Sequence, residues 1–424
     1  MRRRLLALVL LLLTAAPSAV VAAAADDPGR VDQWALDRIG APVGGGQGDG
    51  VVVAVVDSGV DLAHADLRAN LVPGIDTVDG DAVPQDEFGH GTHVAGIVGA
   101  VAGNGTGIAG VAPQASIMPI RVLDETGAGE LDDVVAGIRW AVAHGADVVN
   151  LSMSEDTQAL FGPELSDVLG EVWDAGVVPV VAAGNQYVLG SGFGDEPALV
   201  VAATTRADGK PSYSSGVGAA SWGIAAPGGE DPMLGEAGAI LSTYWVEGET
   251  DQYAFDCGTS MAAPHVAGAV AVLLGLGLSP AEAVDRLLST ATDIGVPGRD
   301  ETFGVGLLNL AAASDGIDPA NGPSPDGGEQ SPPTTATPSN GAPSSQAPDG
   351  GATTSTPAPP PTTSGSPSTA VSDASTSSED AAGTAAEMAA DGGDDHSGSN
   401  AVPAIVAAVL AAGALAGGVV LRRR

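Results

Sequence analysis

The chain has 424 residues, room for two or three domains, with 61 Gly, 30 Pro and only 3% aromatic residues. Its 15 Lys and Arg against 52 Asp and Glu leave a formal net charge of -37, which excludes a basic face for nucleic acid or for anionic lipid. The single cysteine, Cys257, excludes an intramolecular disulfide framework and a cysteine-based zinc site.

Residues 1–25 open with Arg2-Arg3-Arg4, run through an apolar stretch from Leu5 to Leu13 and end in small residues before Asp26. That order predicts an export signal cleaved within Ala22–Ala25. Residues 26–314 are the predicted folded body. Val51–Val56 is a continuous β-branched run and reads as a buried parallel strand. His90–Ala102 is small and apolar enough for a buried helix, Ser116–Val122 reads as a strand, and Leu131–His144 carries apolar residues at helical spacing up to Gly145. Asp147–Leu151, Val177–Ala182 and Leu199–Ala203 read as strands. Pro163–Ala175, Ser260–Leu276 and Pro280–Thr290 read as helices. Strand–helix alternation of this kind predicts an α/β fold with a mainly parallel central sheet, whose sites form beyond the carboxyl ends of the strands.

The remainder has a different character. Residues 315–400 are Pro, Ser, Thr, Ala, Gly and Asp, with no aromatic residue after Phe303, and are predicted to be a disordered stalk. Residues 401–421 carry no charge and are long enough for one transmembrane helix, leaving Arg422–Arg424 as a cytoplasmic tail. The layout predicts a single-pass cell-membrane protein with its folded body extracellular.

Four segments of the body carry chemistry. Val55-Val56-Asp57-Ser58-Gly59-Val60-Asp61 puts a carboxylate at the end of the first strand. Gly89-His90-Gly91-Thr92-His93 puts an imidazole at the start of a helix. Ala182-Ala183-Gly184-Asn185 ends a strand with a side-chain amide, and Gly258-Thr259-Ser260-Met261-Ala262 puts a hydroxyl at the start of a small-residue helix. A serine hydroxyl becomes a nucleophile when an imidazole takes its proton, a carboxylate fixes the imidazole tautomer, and N–H donors meet the oxyanion that forms. Position alone leaves Asp57 and Asp61 open as that carboxylate.

These segments, in the order Asp, His, Ser, together with Gly110-Val111-Ala112-Pro113 and Asp147-Val148-Val149-Asn150, resemble the subtilisin family of serine endopeptidases from about Gln33 to Leu310. The resemblance implies a subtilisin-like three-layer fold that hydrolyses peptide bonds through an acyl-enzyme and acts on polypeptide substrates. It implies Ser260 as nucleophile, His90 as general base and then acid, Asp57 rather than Asp61 as the orienting carboxylate, and Asn185 as oxyanion donor. His93 and His265 become packing residues. Extended substrate is implied to bind along Gly127, Ala128 and Gly129 and along Leu151, Ser152, Met153 and Ser154, with Ala182, Ala183 and Gly184 walling the pocket for the side chain before the scissile bond. The family's two glycines after the Ser-Leu pair are Ser154-Glu155 here, following Ser152-Met153, which points to a narrower or more acidic pocket. No cofactor is required. A structural calcium is implied at Asp66 and Asn104, although the family's early glutamine ligand is matched by Arg30. The whole layout is similar to the membrane-anchored mycosins of actinobacterial type VII secretion, which implies secretion components as partners. A weak or inactive protease-like scaffold of such a complex is the alternative function.

Overall fold

The computed structural model describes residues 27–41, 47–153, 157–186, 193–230, 238–317 and 420–421. Seven strands form one parallel sheet: β1 (Val52–Asp57), β2 (Ile75–Asp76), β3 (Ser116–Arg121), β4 (Val148–Leu151), β5 (Val178–Ala182), β6 (Leu199–Thr204) and β7 (Gly223–Pro227). Their spatial order is β2-β3-β1-β4-β5-β6-β7. The chain lays β3 on one side of β1, pairing Asp57 with Arg121, and then crosses to lay β4 on the other, pairing Val56 with Leu151. The order therefore reverses at β1, and the crevice beyond its carboxyl end is where an open α/β sheet forms a site.

Both faces of the sheet are covered, which is why β1 reads as an unbroken apolar run rather than an alternating one. Val53 and Val55 face a core shared with α1 (Trp34–Ile39), α2 (His90–Gly99), α5 (Thr259–Gly275) and α6 (Pro280–Thr290). Ala54 and Val56 face a second core shared with α3 (Leu131–Ala143) and α4 (Thr157–Asp174). The helix α5 is the buried centre. Val266, Val270 and Leu273 are fully buried, and each such side chain contributes on the order of 1.5–3 kcal/mol. Its small residues allow close approach: a Cβ on Gly268 would meet Val111 at 2.7 Å. An antiparallel hairpin, β8 (Ile240–Tyr244) and β9 (Gln252–Asp256), lies against α2 and leads directly into α5. The short α7 (Leu310–Ser314) closes the body, where the Arg286 guanidinium donates to the carbonyls of Ala313 and Asp315.

The predicted strands and helices of the body are present with shifts of a residue or two at most ends. The exceptions are two helices. The first ends at Gly99, short of Ala102, and α4 begins at Thr157, so Pro163 lies inside the helical span instead of opening it. The hairpin, α1, β2, β7 and α7 were not predicted. The expected signal, most of the stalk and residues 422–424 lie outside the described residues. So does the expected span 401–421 apart from Val420–Leu421, which form a two-residue strand, β10, antiparallel to β9. Among the described residues no helix is long and apolar enough to cross a membrane.

The loop expected to hold calcium is organised by other means. Asp66 is buried; its Oδ1 accepts from the Asn104 amide nitrogen at 2.7 Å, and its Oδ2 accepts from Ile108 N at 2.9 Å and the Tyr253 hydroxyl at 3.2 Å. Thr106 N donates to Asn104 Oδ1 at 2.7 Å, which fixes the amide with its nitrogen toward the carboxylate. From the other side, Asp27 accepts from Gly103 N at 2.7 Å and Gly105 N at 3.0 Å. Gln33 exchanges two hydrogen bonds with the backbone of Ala109, at 2.7 and 2.9 Å. Arg30 points elsewhere, to Asp37 and the Gln33 carbonyl. Three N–H and O–H donors thus take three of the four lone-pair sites of the Asp66 carboxylate. In this arrangement Asn104 turns its amide nitrogen, not its oxygen, toward Asp66.

Candidate active site

The site is built where β1 ends and α2 begins. Asp57, the last residue of β1, has no exposed surface, and its Oδ1 meets His90 Nδ1 at 2.8 Å and accepts from Ser58 N at the same distance. Its Oδ2 is buried without a hydrogen bond. Asp61 is turned away: its carboxylate accepts only the local Ala63 N, so the geometry selects Asp57. His90 opens α2, which can press this close because its second residue is Gly91. A Cβ there would lie 2.1 Å from the Gly59 carbonyl and 3.2 Å from Asp57 Cβ.

Burial disfavours charge on the His90 imidazole, but the charge and hydrogen bond of Asp57, helped by the charges of Asp256 and Asp86, prevail and raise its pKa to about 9. His93 lies one turn along the same helix and behaves oppositely. Burial, with the repulsion of His90, lowers it to about 3. Its Nε2 faces the carbonyls of Ile240 and Ala254, both at 3.2 Å, and so fastens α2 to the hairpin. His265 is buried in α5, held by the Met261 carbonyl at 2.8 Å, and lowered by burial to about 4. Both are packing histidines.

Ser260 stands in the first turn of α5, buried, and its Oγ makes no hydrogen bond. The expected hydroxyl–imidazole bond is therefore not formed in this structure, while the Asp57–His90 bond is. Unliganded sites commonly hold this contact loosely until substrate closes it. The ends of β4 and β5 converge on the same turn. Asn150 Nδ2 donates to Ser152 Oγ at 2.9 Å, and Ser152 Oγ–H donates to the Ser260 carbonyl at 2.9 Å. Gly184 N donates to Thr259 Oγ1 at 3.1 Å. Asn185 Oδ1 accepts from both the backbone N and the hydroxyl of Thr259, each at 3.0 Å. With its oxygen so engaged, Asn185 turns its Nδ2 toward Gly258 and the head of α5. In the first turn of a helix the backbone N–H groups have no intrahelical acceptor. Two kinds of N–H donor thus meet beside Ser260.

Among the other expected substrate contacts, Leu151 and Met153 are buried, Ala182 ends β5, and Ala183 N is bonded to the Val201 carbonyl. Ser154 and Glu155 lie outside the described residues. The segment Asp124–Gly129 folds into a turn: Gly127 N donates to the Asp124 carbonyl at 3.0 Å and Ala128 N to the Asp124 carboxylate at 3.1 Å. Asp124 N donates in turn to the Ala128 carbonyl at 2.7 Å, so that within residues 127–129 Gly129 N and the carbonyls of Gly127 and Gly129 remain for an added strand. Gly127, at φ 78°, lies against the Phe88 ring, in the loop that delivers His90. Cys257 is half-buried.

Sequence reading missed four residues. Thr259 locks the amide of Asn185. Asp256, in the turn leading to Ser260, is pushed up to about 6 by burial, against the pull of His90. Arg121, buried and paired with Asp76, Asp79 and Glu87, ties down the approach to His90. Asp86 caps α2 from outside. Only the last left a trace in the sequence: the residue before His90 is a glycine, which has no side chain to cap the helix, so an upstream acid is wanted.

Comparison with known proteins agrees with this arrangement. The subtilase family model matches residues 48–306. Thermitase of Thermoactinomyces vulgaris is 39% identical over 257 residues, covering 59% of this chain and 85% of that protein. Subtilisin DY of Bacillus licheniformis is 37% identical over 282 residues, covering 64% and 93%. A solved protease of Pseudoalteromonas arctica superposes with a TM-score of 0.59 at 31% identity, covering 69% of this chain and 99% of its own. The chain belongs to the subtilase family and is a subtilisin-like serine endopeptidase.

Proposed function

We propose that the protein is an exported, membrane-tethered endopeptidase that cleaves peptide bonds through an acyl-enzyme on Ser260. The observation that carries the reading is the 2.8 Å contact between His90 Nδ1 and the buried Asp57 Oδ1. It leaves Nε2 on the opposite side of the ring as the base. Ser260 Oγ attacks the carbonyl carbon while its proton passes to His90 Nε2. Asn185 Nδ2 and the Ser260 N–H receive the oxyanion. The protonated His90 then gives its proton to the leaving amine, and a water repeats the sequence on the ester. Asp57 holds the imidazole in the tautomer with its proton on Nδ1 and stabilises the imidazolium.

The signal 1–25, the stalk 315–400 and the span 401–421 support a cell-surface location. Their arrangement around a body at 26–314 supports processing of exported proteins alongside type VII secretion components. Val420–Leu421 also pair with β9 in the structure, and a membrane span would use the same residues differently. Labelling of cells with a fluorophosphonate probe is expected to mark the full-length chain in the membrane fraction. Ser260→Ala should abolish the label, and deletion of residues 401–424 should release a labelled soluble chain. A wild-type chain that takes no label would favour the inactive scaffold instead.

A protonated His90 cannot accept a proton, and its pKa lies near 9. The rate constant kcat/KM should therefore rise with pH and be half-maximal above the ordinary histidine value of 6.5, toward about 9. An acid limb at or below 6.5 in a pH–rate profile would show that the surrounding carboxylates do not raise the imidazole.

The pocket before the scissile bond is walled by Ser152, Met153, Ala183 and Gly184, with Ser154-Glu155 in place of glycines. Added bulk and a carboxylate support small or basic side chains as the preferred substrates. Peptide-library profiling should show that preference, and a dominant selection of Phe, Tyr or Leu would contradict it.

A further inference from the structure

One buried carboxylate has no part in the chemistry just described. Asp86, without exposed surface, lies between β2 and α2. Its Oδ1 accepts from Ser58 Oγ at 2.9 Å, Phe88 N at 2.9 Å and Gly89 N at 2.8 Å. Its Oδ2 accepts from Thr92 N at 2.9 Å and from the Thr92 hydroxyl. Every partner is an N–H or O–H donor. The donor set therefore matches an ionised carboxylate, although burial raises its pKa.

The partners matter by their place in the chain. Phe88, Gly89 and Thr92 bracket His90. Ser58 follows Asp57, donates its N–H to Asp57 Oδ1 at 2.8 Å, and accepts on its Oγ from Gly91 N at 2.9 Å. Asp86 thus grips both sides of the Asp57–His90 contact, one through Ser58 and the other through the backbone around the imidazole. Gly89, the N-cap of α2, lies at φ 105° and offers no side chain, so Asp86 supplies the cap the helix lacks. Five donors would lose a charged acceptor if this carboxylate were neutralised: the Phe88, Gly89 and Thr92 amides and the Ser58 and Thr92 hydroxyls.

We propose that Asp86 is a positioning residue for the hydrolytic reaction, a buried carboxylate that fixes the His90 imidazole against Asp57 through Ser58 and the amides flanking the histidine. The inference rests on the reading of Ser260, His90 and Asp57 given above and extends it to a second carboxylate. Charged and titratable groups face His90 from each neighbouring element: Asp57 from β1, Asp256 from the end of β9, Asp86 from the loop, and His93 from α2 itself. Tyr244 on β8 lies within the field of Asp256 and Asp86. Removing the Asp86 charge takes away one of three that favour the imidazolium, so the proton affinity of His90 falls.

The test compares Asp86→Asn, Ser58→Ala and the wild type as full-length chains, with fluorescent casein as substrate and a fluorophosphonate as probe. Both variants are expected to lose on the order of 10²-fold in kcat and in labelling rate, the cost of a displaced catalytic group, with KM close to wild type. Both variants loosen the Asp57–His90 contact and should move the acid limb of kcat/KM to lower pH, Asp86→Asn further than Ser58→Ala because it also removes a charge. A helix cap with no further role would lower the melting temperature and leave both kcat per folded molecule and the acid limb unchanged; that result overturns the proposal. If Asp86→Asn does not fold, Ser58→Ala decides: an unchanged labelling rate refutes the positioning role and a lost rate at an unchanged melting temperature supports it. A wild-type chain that takes no label refutes the reading of Ser260 itself, and a labelled wild type with indifferent variants refutes only the role of Asp86.

Discussion

The burial of Asp57 is the constraint on which the rest depends. A carboxylate removed from water costs several kcal/mol unless its charge is met by partners. Here it is met by the Ser58 N–H and by the imidazole of His90, and the second oxygen has no hydrogen bond at all. The arrangement is asymmetric: one oxygen carries both contacts. The stability of the sheet end and the basicity of the histidine are thus two readings of one interaction. The parallel sheet supplies the geometry. Because the order reverses at β1, the crevice opens beyond its carboxyl end, where Asp57 stands.

Much of this was legible in the sequence where local chemistry determines structure. The β-branched run of β1 can only be a strand buried on both faces, and the glycines around His90 and Ser260 mark places where backbone comes close to backbone. The choice between Asp57 and Asp61 was not legible from position, since both follow the same strand; it is settled by which carboxylate the start of α2 approaches. The hairpin of β8 and β9 escaped because its stability comes from contacts distant in sequence. Ser242 and Thr243 donate their hydroxyls to the carbonyls of His93 and Thr92. Pro163 misled in another way, since proline is favoured in the first helical turn but does not require the helix to begin there. Asp66 and Asn104 match a calcium pattern by residue type, but the hydrogen bonds that tie Asp66 to Ile108 and Tyr253 come from the fold of the loop and were not legible in those two letters.

The three histidines of α2 and α5 show how the fold assigns different work to one side chain. His90, His93 and His265 all lose water, and burial alone would keep each neutral. His93 is offered two carbonyls and His265 one, partners too weak to offset that loss, and both are held far below the usual histidine range. His90 alone is offered a buried carboxylate, with Asp86 and Asp256 behind it. In a chain with so large an excess of acids, most carboxylates are solvated and act weakly at any distance. What distinguishes Asp57, Asp86 and Asp256 is that two of them are buried and the third half-buried beside one imidazole. The sequence charge of -37 therefore says little about the site, and the placement of three carboxylates within it says a great deal.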